Sequence, residues 1–126
     1  MVDTLESYPT VTPYLVVADA DAELKFVTVA FGATESLCHR DDKNAVMHAE
    51  FKIGDSLMML GQAGDQMKAL SAALYVWVPN IDAVYSKALA SGARSLSAPE
   101  DKPYGHRNAG VLDSNGITWW IGSPVR

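Results

Sequence analysis

Three side chains in this sequence carry chemistry suited to a polar ligand or a proton. His48 and Glu50 stand two apart in Val46-Met47-His48-Ala49-Glu50, and His106 follows in the second half. On a strand, residues i and i+2 share a face, so this imidazole and carboxylate would point the same way. Such a pair binds a polar ligand group or works as an acid–base pair. With His106 as a third donor it reads as a metal site, because a divalent metal needs several nitrogen or oxygen ligands. The plain alternative is a wet strand face that continues through Lys52. Tyr14, Tyr75, Trp77 and Trp120 offer flat rings that stack on aromatic or cationic ligands, with Met58 beside them. Their plain alternative is an ordinary place in the core. The ligand-binding set read from the sequence is therefore Tyr14, His48, Glu50, Met58, Tyr75, Trp77, His106 and Trp120. Cys38 has only His39 and Arg40 as basic neighbours and is given no nucleophilic role. No catalytic residue, metal ligand or cofactor is assigned.

The elements that must position these side chains recur. Val17-Ala18-Asp19-Ala20-Asp21-Ala22 is echoed by Val78-Pro79-Asn80-Ile81-Asp82-Ala83, roughly sixty residues on, and such a fixed period marks a duplicated unit. Phe31-Gly32-Ala33 and Ser91-Gly92-Ala93 keep the same spacing, as do the Gly54-Asp55 and Asn115-Gly116 turns. Tyr8 to Val17 reads as a strand. Asp19 caps a helix whose apolar face is Ala20, Leu24, Val27 and Phe31, and Gly32 ends it. Glu35 to Arg40 is a short strand. Ala45 to Ile53 alternates, with Met47, Ala49 and Phe51 on one face and Val46, His48, Glu50 and Lys52 on the other. Ser56 to Leu60 is its hairpin partner, with Ser56, Met58 and Leu60 expected beside His48 and Glu50.

The second half repeats the order: a strand over 72–78, a helix capped by Asn80, a short strand over 95–98 broken by Pro99, then strands over 106–113 and 117–122. Its cavity face would carry Ala73, Tyr75, Trp77, His106, Asn108, Thr118 and Trp120, while Trp119 points to the helix side. Arg107 is expected to pair with a carboxylate, with Asp113 a candidate. The fold class is α+β, two tandem βαβββ modules forming a curved sheet around a cavity. The single domain spans 8–125, with module one at 8–61 and module two at 72–122.

Composition narrows the function. With 48% hydrophobic residues the chain carries enough apolar side chains for a core, and one cysteine rules out an internal disulfide framework. A net charge of −5 argues against nucleic acid as a partner. No apolar run is long enough to span a bilayer, and Met1–Glu6 does not read as a signal peptide. The expected setting is cytoplasmic.

The segments Thr12–Asp19 with Ala30–Ala33, Val46–Glu50 with Ile53–Ser56, and Tyr104-Gly105-His106-Arg107 with Asp113–Gly116 resemble the vicinal oxygen chelate superfamily. This is the fold of glyoxalase I, extradiol dioxygenases and bleomycin-resistance proteins. The resemblance covers about 10–121. It implies two modules enclosing a cavity, with Asp101–Gly105 as a loop over its mouth. In the family's metalloenzymes the ligand positions would fall at Thr12, Leu60, Ala73 and Trp120, where this chain lacks the His, Gln or Glu those enzymes use. The expectation is a metal-independent binder of a small organic molecule, as in bleomycin-resistance-type sequestration of an aromatic or cationic antibiotic. The resemblance also implies a homodimer. The alternative is a metal-dependent lyase, isomerase or dioxygenase of the glyoxalase type.

Overall fold

The computed structural model describes residues 8–125. Module one runs β1 (Tyr14–Val17), α1 (Ala20–Phe31), β2 (Thr34–Arg40), β3 (Val46–Ile53) and β4 (Ser56–Gln62). Module two repeats it as β5 (Ala72–Trp77), α2 (Ile81–Ala90), β6 (Arg94–Asp101), β7 (His106–Leu112) and β8 (Ile117–Pro124). Each module folds into one four-stranded sheet, ordered β1-β4-β3-β2 and β5-β8-β7-β6. In both, the first strand lies parallel to the last, and the other pairs are antiparallel. The helix supplies the crossover that a parallel pair requires.

Local chemistry sets the helix ends. The Asp19 side chain accepts from Ala22 N at 3.1 Å, and Asn80 does the same for Ala83 N at 3.2 Å. Gly32 takes φ 69°, the left-handed conformation that closes α1. The helix faces of both sheets, with α1 and α2 between them, join one core containing Leu15, Val17, Leu24, Val27, Phe51, Leu60, Ile117, Trp119 and Ile121. The modules meet through their helices and through Phe31 against Trp119, ring centroids 4.9 Å apart. No helix among the described residues is long and apolar enough to cross a membrane.

Four local readings change. The first strand begins at Tyr14 rather than Tyr8, because Pro9 and Pro13 cannot donate to a ladder. The strand β6 runs through Pro99 to Asp101; as the sheet's outermost strand, with register shifts beside it, it tolerates the missing donor. Opposite His39 and Arg40 of β2, the register skips Met47 of β3, which turns Val46 into the core and leaves Met47 outside. The fourth change concerns Met58. The tight turn pairs Ile53 with Ser56, which sets Phe51 opposite Met58 and Glu50 opposite Met59. Met58 and Leu60 therefore join Phe51 on the helix side, and Leu57, Met59 and Gly61 take the face shared with Glu50.

Candidate functional site

Away from the helices, each sheet presents an open face. On module one it carries Tyr14, Met59, His48 and Glu50. Glu50 is only 7% exposed, and both carboxylate oxygens are engaged. His48 Nε2 lies 2.8 Å from Oε2, and the Tyr8 hydroxyl donates to Oε1 at 2.9 Å. A buried carboxylate needs such partners. The bond to Glu50 also raises the Tyr8 phenol above its usual range, with burial and the nearby negative charge adding to it. A carboxylate oxygen only accepts, so His48 Nε2 is the nitrogen that carries the hydrogen between them. The Tyr14 ring lies against His48 at 5.8 Å. This corner can hold a donor group of a ligand or accept a proton from one.

The open face of module two is aromatic. Trp77, 54% exposed, packs on Tyr75 at 4.8 Å and meets His106 edge-on at 4.7 Å. Tyr104 adds a further edge contact to His106 at 5.3 Å. Buried Asn108 organises the strip: its Nδ2 donates to Tyr104 Oη at 3.0 Å and to Tyr75 Oη at 3.4 Å. Trp120, 36% exposed, stands opposite Gly110 on the same face. Trp119 points the other way, fully buried, with Nε1 donating to Asp113 Oδ2 at 2.9 Å.

The structure thus brings Tyr14, His48 and Glu50 together on one sheet, and Tyr75, Trp77, His106 and Trp120 on the other. Met58 belongs to neither face: at 5% exposure it lines a cleft of about 640 Å³ at the module seam. Phe31, Leu74, Val76, Val78 and Trp119 wall that cleft, with Pro9, Val11 and Pro13 on one side and Asp55 beside it. Arg107 does not pair with Asp113. It reaches Asp82 at 2.9 Å and Asp101 at 3.1 Å, because Asp113 is committed to Trp119 and to the backbone of its own turn.

Two residues were missed. Tyr8 precedes the first strand, and no spacing rule links it to Glu50. Tyr104 sits in the loop before β7, where its proximity to His106 in sequence was the available signal.

The metal positions that the resemblance implies do not carry a metal's donors here. Ala73 offers no ligand atom and Trp120 only a ring N–H, Leu60 is under the helix, and the Thr12 hydroxyl bonds Pro9 O. Among the described residues, no three His, Cys, Asp or Glu side chains are grouped to hold a metal. His106 lies on the other sheet from His48 and Glu50.

A second polar cluster joins the modules. Asn115, in the β7–β8 turn, donates through Nδ2 to Asp19 O at 2.8 Å and to Glu23 Oε1 at 3.0 Å, and it accepts from Asp19 N at 2.9 Å. Glu23 is 1% exposed, and its Oε2 has no donor facing it. Burial first, then the Asp113 carboxyl beside it, pushes its pKa up to about 9. At neutral pH Glu23 is a carboxylic acid, and Oε2 becomes a donor toward Asp113.

Two βαβββ modules in this order, with an open face on each sheet, point to one family. Residues 8–121 match the Glyoxalase/Bleomycin resistance protein/Dioxygenase superfamily. The chain belongs to that superfamily. It is 31% identical over 129 residues to an uncharacterized protein of Mycobacterium bovis, covering 94% of this chain and 85% of that one. Among solved structures it is similar to TioX from Micromonospora sp. ML1, with TM-score 0.79 and 22% identity over 94% of this chain and 100% of the other. A superfamily member from Sphaerobacter thermophilus superposes with TM-score 0.72 at 18% identity, covering 94% and 98%. At these identities the structural likeness speaks for the fold.

Proposed function

We propose that this superfamily member is a metal-independent binder of a small organic molecule, holding an aromatic or cationic compound, such as an antibiotic, by sequestration in the cytoplasm. One observation carries the reading: a strip of partly exposed rings on one open face and a buried, fully bonded carboxylate on the other. Aromatic walls with a few fixed polar groups are what small-molecule sites require. A cation gains from the ring faces of Tyr75, Trp77 and Trp120 and from the Glu50 charge. The glyoxalase-type enzyme reading needs a set of metal donors that the described residues of a single chain do not group together.

The partner we propose is a second copy of the chain. The helices keep the two open faces of one chain on separate sheets, and Tyr14, Met47, Tyr75, Trp77 and Leu96 remain more than a third exposed. Exposed apolar side chains grouped on each sheet in this way mark an interaction site. A second chain would set an open face of module one against one of module two and enclose the ligand between them.

Tryptophan emission tests the binding role. Metal-stripped protein titrated with planar aromatic and cationic compounds should show saturable quenching, weakened in Trp77→Leu. Absence of saturable binding across the panel would sink the proposal.

A further inference from the structure

Of the nine glycines in the chain, five take positive φ, namely Gly32, Gly54, Gly92, Gly105 and Gly116. Gly61, Gly110 and Gly122 do not, and they lie inside strands whose backbone any L-residue adopts. What they lack is room. A Cβ on Gly61 would stand 2.6 Å from Tyr14 Oη. On Gly110 it would fall against Trp120 Cζ3 and 2.7 Å from Cε3, and on Gly122 against Tyr75 Oη and 2.7 Å from Cε1. Gly110 and Gly122 each sit beneath an aromatic ring on an open face, and Gly61 lies under the hydroxyl end of Tyr14, with Met47 O 3.0 Å from the same Cβ position. The arrangement is duplicated. In both modules the tyrosine lies on the parallel edge strand, and the glycine pairs with the residue two further on, Val16 with Gly61 and Trp77 with Gly122.

We propose that Gly61, Gly110 and Gly122 are specificity-determining residues that let Tyr14, Trp120 and Tyr75 lie down on their sheets, making the open faces a flat floor selective for planar aromatic ligands over globular ones. This rests on the binding role proposed above and names its ligand class. A side chain at any of the three would prop the ring up and replace a plane with a ridge. Glycine inside a strand weakens it, so its presence there calls for a close approach of another group. An aromatic ring over a strand glycine also shields the exposed backbone; that purely structural role predicts lost stability and unchanged selectivity on substitution.

The test compares proflavine, a planar cation, with amantadine, a globular cation, on wild type, Gly110→Ala and Gly122→Ala. Wild type should prefer proflavine. Each alanine variant should lose about tenfold or more in proflavine affinity, the scale of one stacking contact, while amantadine binding is unmoved. Equal binding of both cations by wild type overturns the inference and leaves the binding role standing. So does unchanged proflavine affinity in the folded variants. Binding of neither cation overturns this inference; the binding role itself falls only if the wider panel of aromatic and cationic compounds also fails. Should the alanine variants not fold, wild type still decides by NMR. The α-protons of Gly110 and Gly122 should be shifted upfield by the overlying rings, and ordinary glycine shifts at these positions would overturn the proposal.

Discussion

Replacing Glu23 by Gln should stabilise the protein, and by an amount that depends on pH. The folded chain holds a proton on Glu23 up to about pH 9, whereas the same carboxyl titrates near 4.5 when free. Between those values the unfolded chain binds fewer protons than the folded one, so stability falls as pH rises. The slope is about 1.4 kcal/mol per pH unit, and by pH 7 the accumulated loss is about 3 kcal/mol. The Glu23→Gln variant would keep the geometry without the titration. Its side-chain oxygen can still accept from Asn115, and its amide can donate toward Asp113 as the protonated acid does. Urea unfolding at pH 5, 6, 7 and 8 is the assay, with midpoint and slope fitted separately. Glu23→Gln should match wild type within about 1 kcal/mol at pH 5 and exceed it by about 3 kcal/mol at pH 7. That is roughly 10 °C in Tm for a domain of this size. Parallel pH profiles for the two proteins would refute the reasoning, as would a variant less stable throughout. Parallel profiles would mean that Glu23 holds no extra proton in the fold, and a uniformly less stable variant that the amide does not replace the acid's contacts.

Other substitutions test separate parts of the account. Trp119→Phe removes the donor to Asp113 and thins the contact with Phe31, and should cost about 2–4 kcal/mol by chemical denaturation. Arg107→Ala breaks two exposed ion pairs that solvent screens, and should leave the urea midpoint almost unmoved; a clear drop would show that Arg107 holds more than Asp82 and Asp101. Trp77→Glu places a charge on the open face of module two; wild type should sediment as the proposed dimer and the variant as a monomer, with the fold intact by circular dichroism. Dimers that persist unchanged would place the interface elsewhere.

Much of the fold was legible because its signals are local and doubled. Asp19 and Asn80 announce their helices through capping chemistry, and the turn residues of the two hairpins recur at matched positions. The open face of module two was legible from period-two alternation, since Tyr75, Trp77, His106 and Trp120 sit in β5, β7 and β8, which pair with one another without a register shift, the irregularities of that sheet falling in β6. Module one was harder. The turn after Ile53 sets the register of β4, and shifting that pairing by one residue exchanges Met58 for Met59. A bulge beside Arg40 likewise exchanged Met47 and Val46, and nothing in the residue types announces it. The Glu50 environment was not legible, because its burial depends on Tyr8, 42 positions away. The alternation of His48, Glu50 and Lys52 suggests a wet face, yet only Lys52 of the three is exposed. Glu23 and Asp113 lie far apart in sequence, and each alone reads as ordinary helix-start or turn chemistry. Asp113, the candidate partner of Arg107, fails for a related reason: it is nearer in sequence than Asp82, but the Trp119 indole already occupies it.

The most direct test of metal-free ligand binding is calorimetric titration of one ligand into the protein before and after metal stripping, with metal content measured on the same samples. Proflavine is a suitable ligand, being both flat and cationic. The account predicts the same dissociation constant in both preparations, with metal far below one per chain, and loss of binding when Trp77 and Trp120 are both replaced by Ala. Binding that vanishes on stripping and returns with added zinc, nickel, manganese or iron(II) would contradict it.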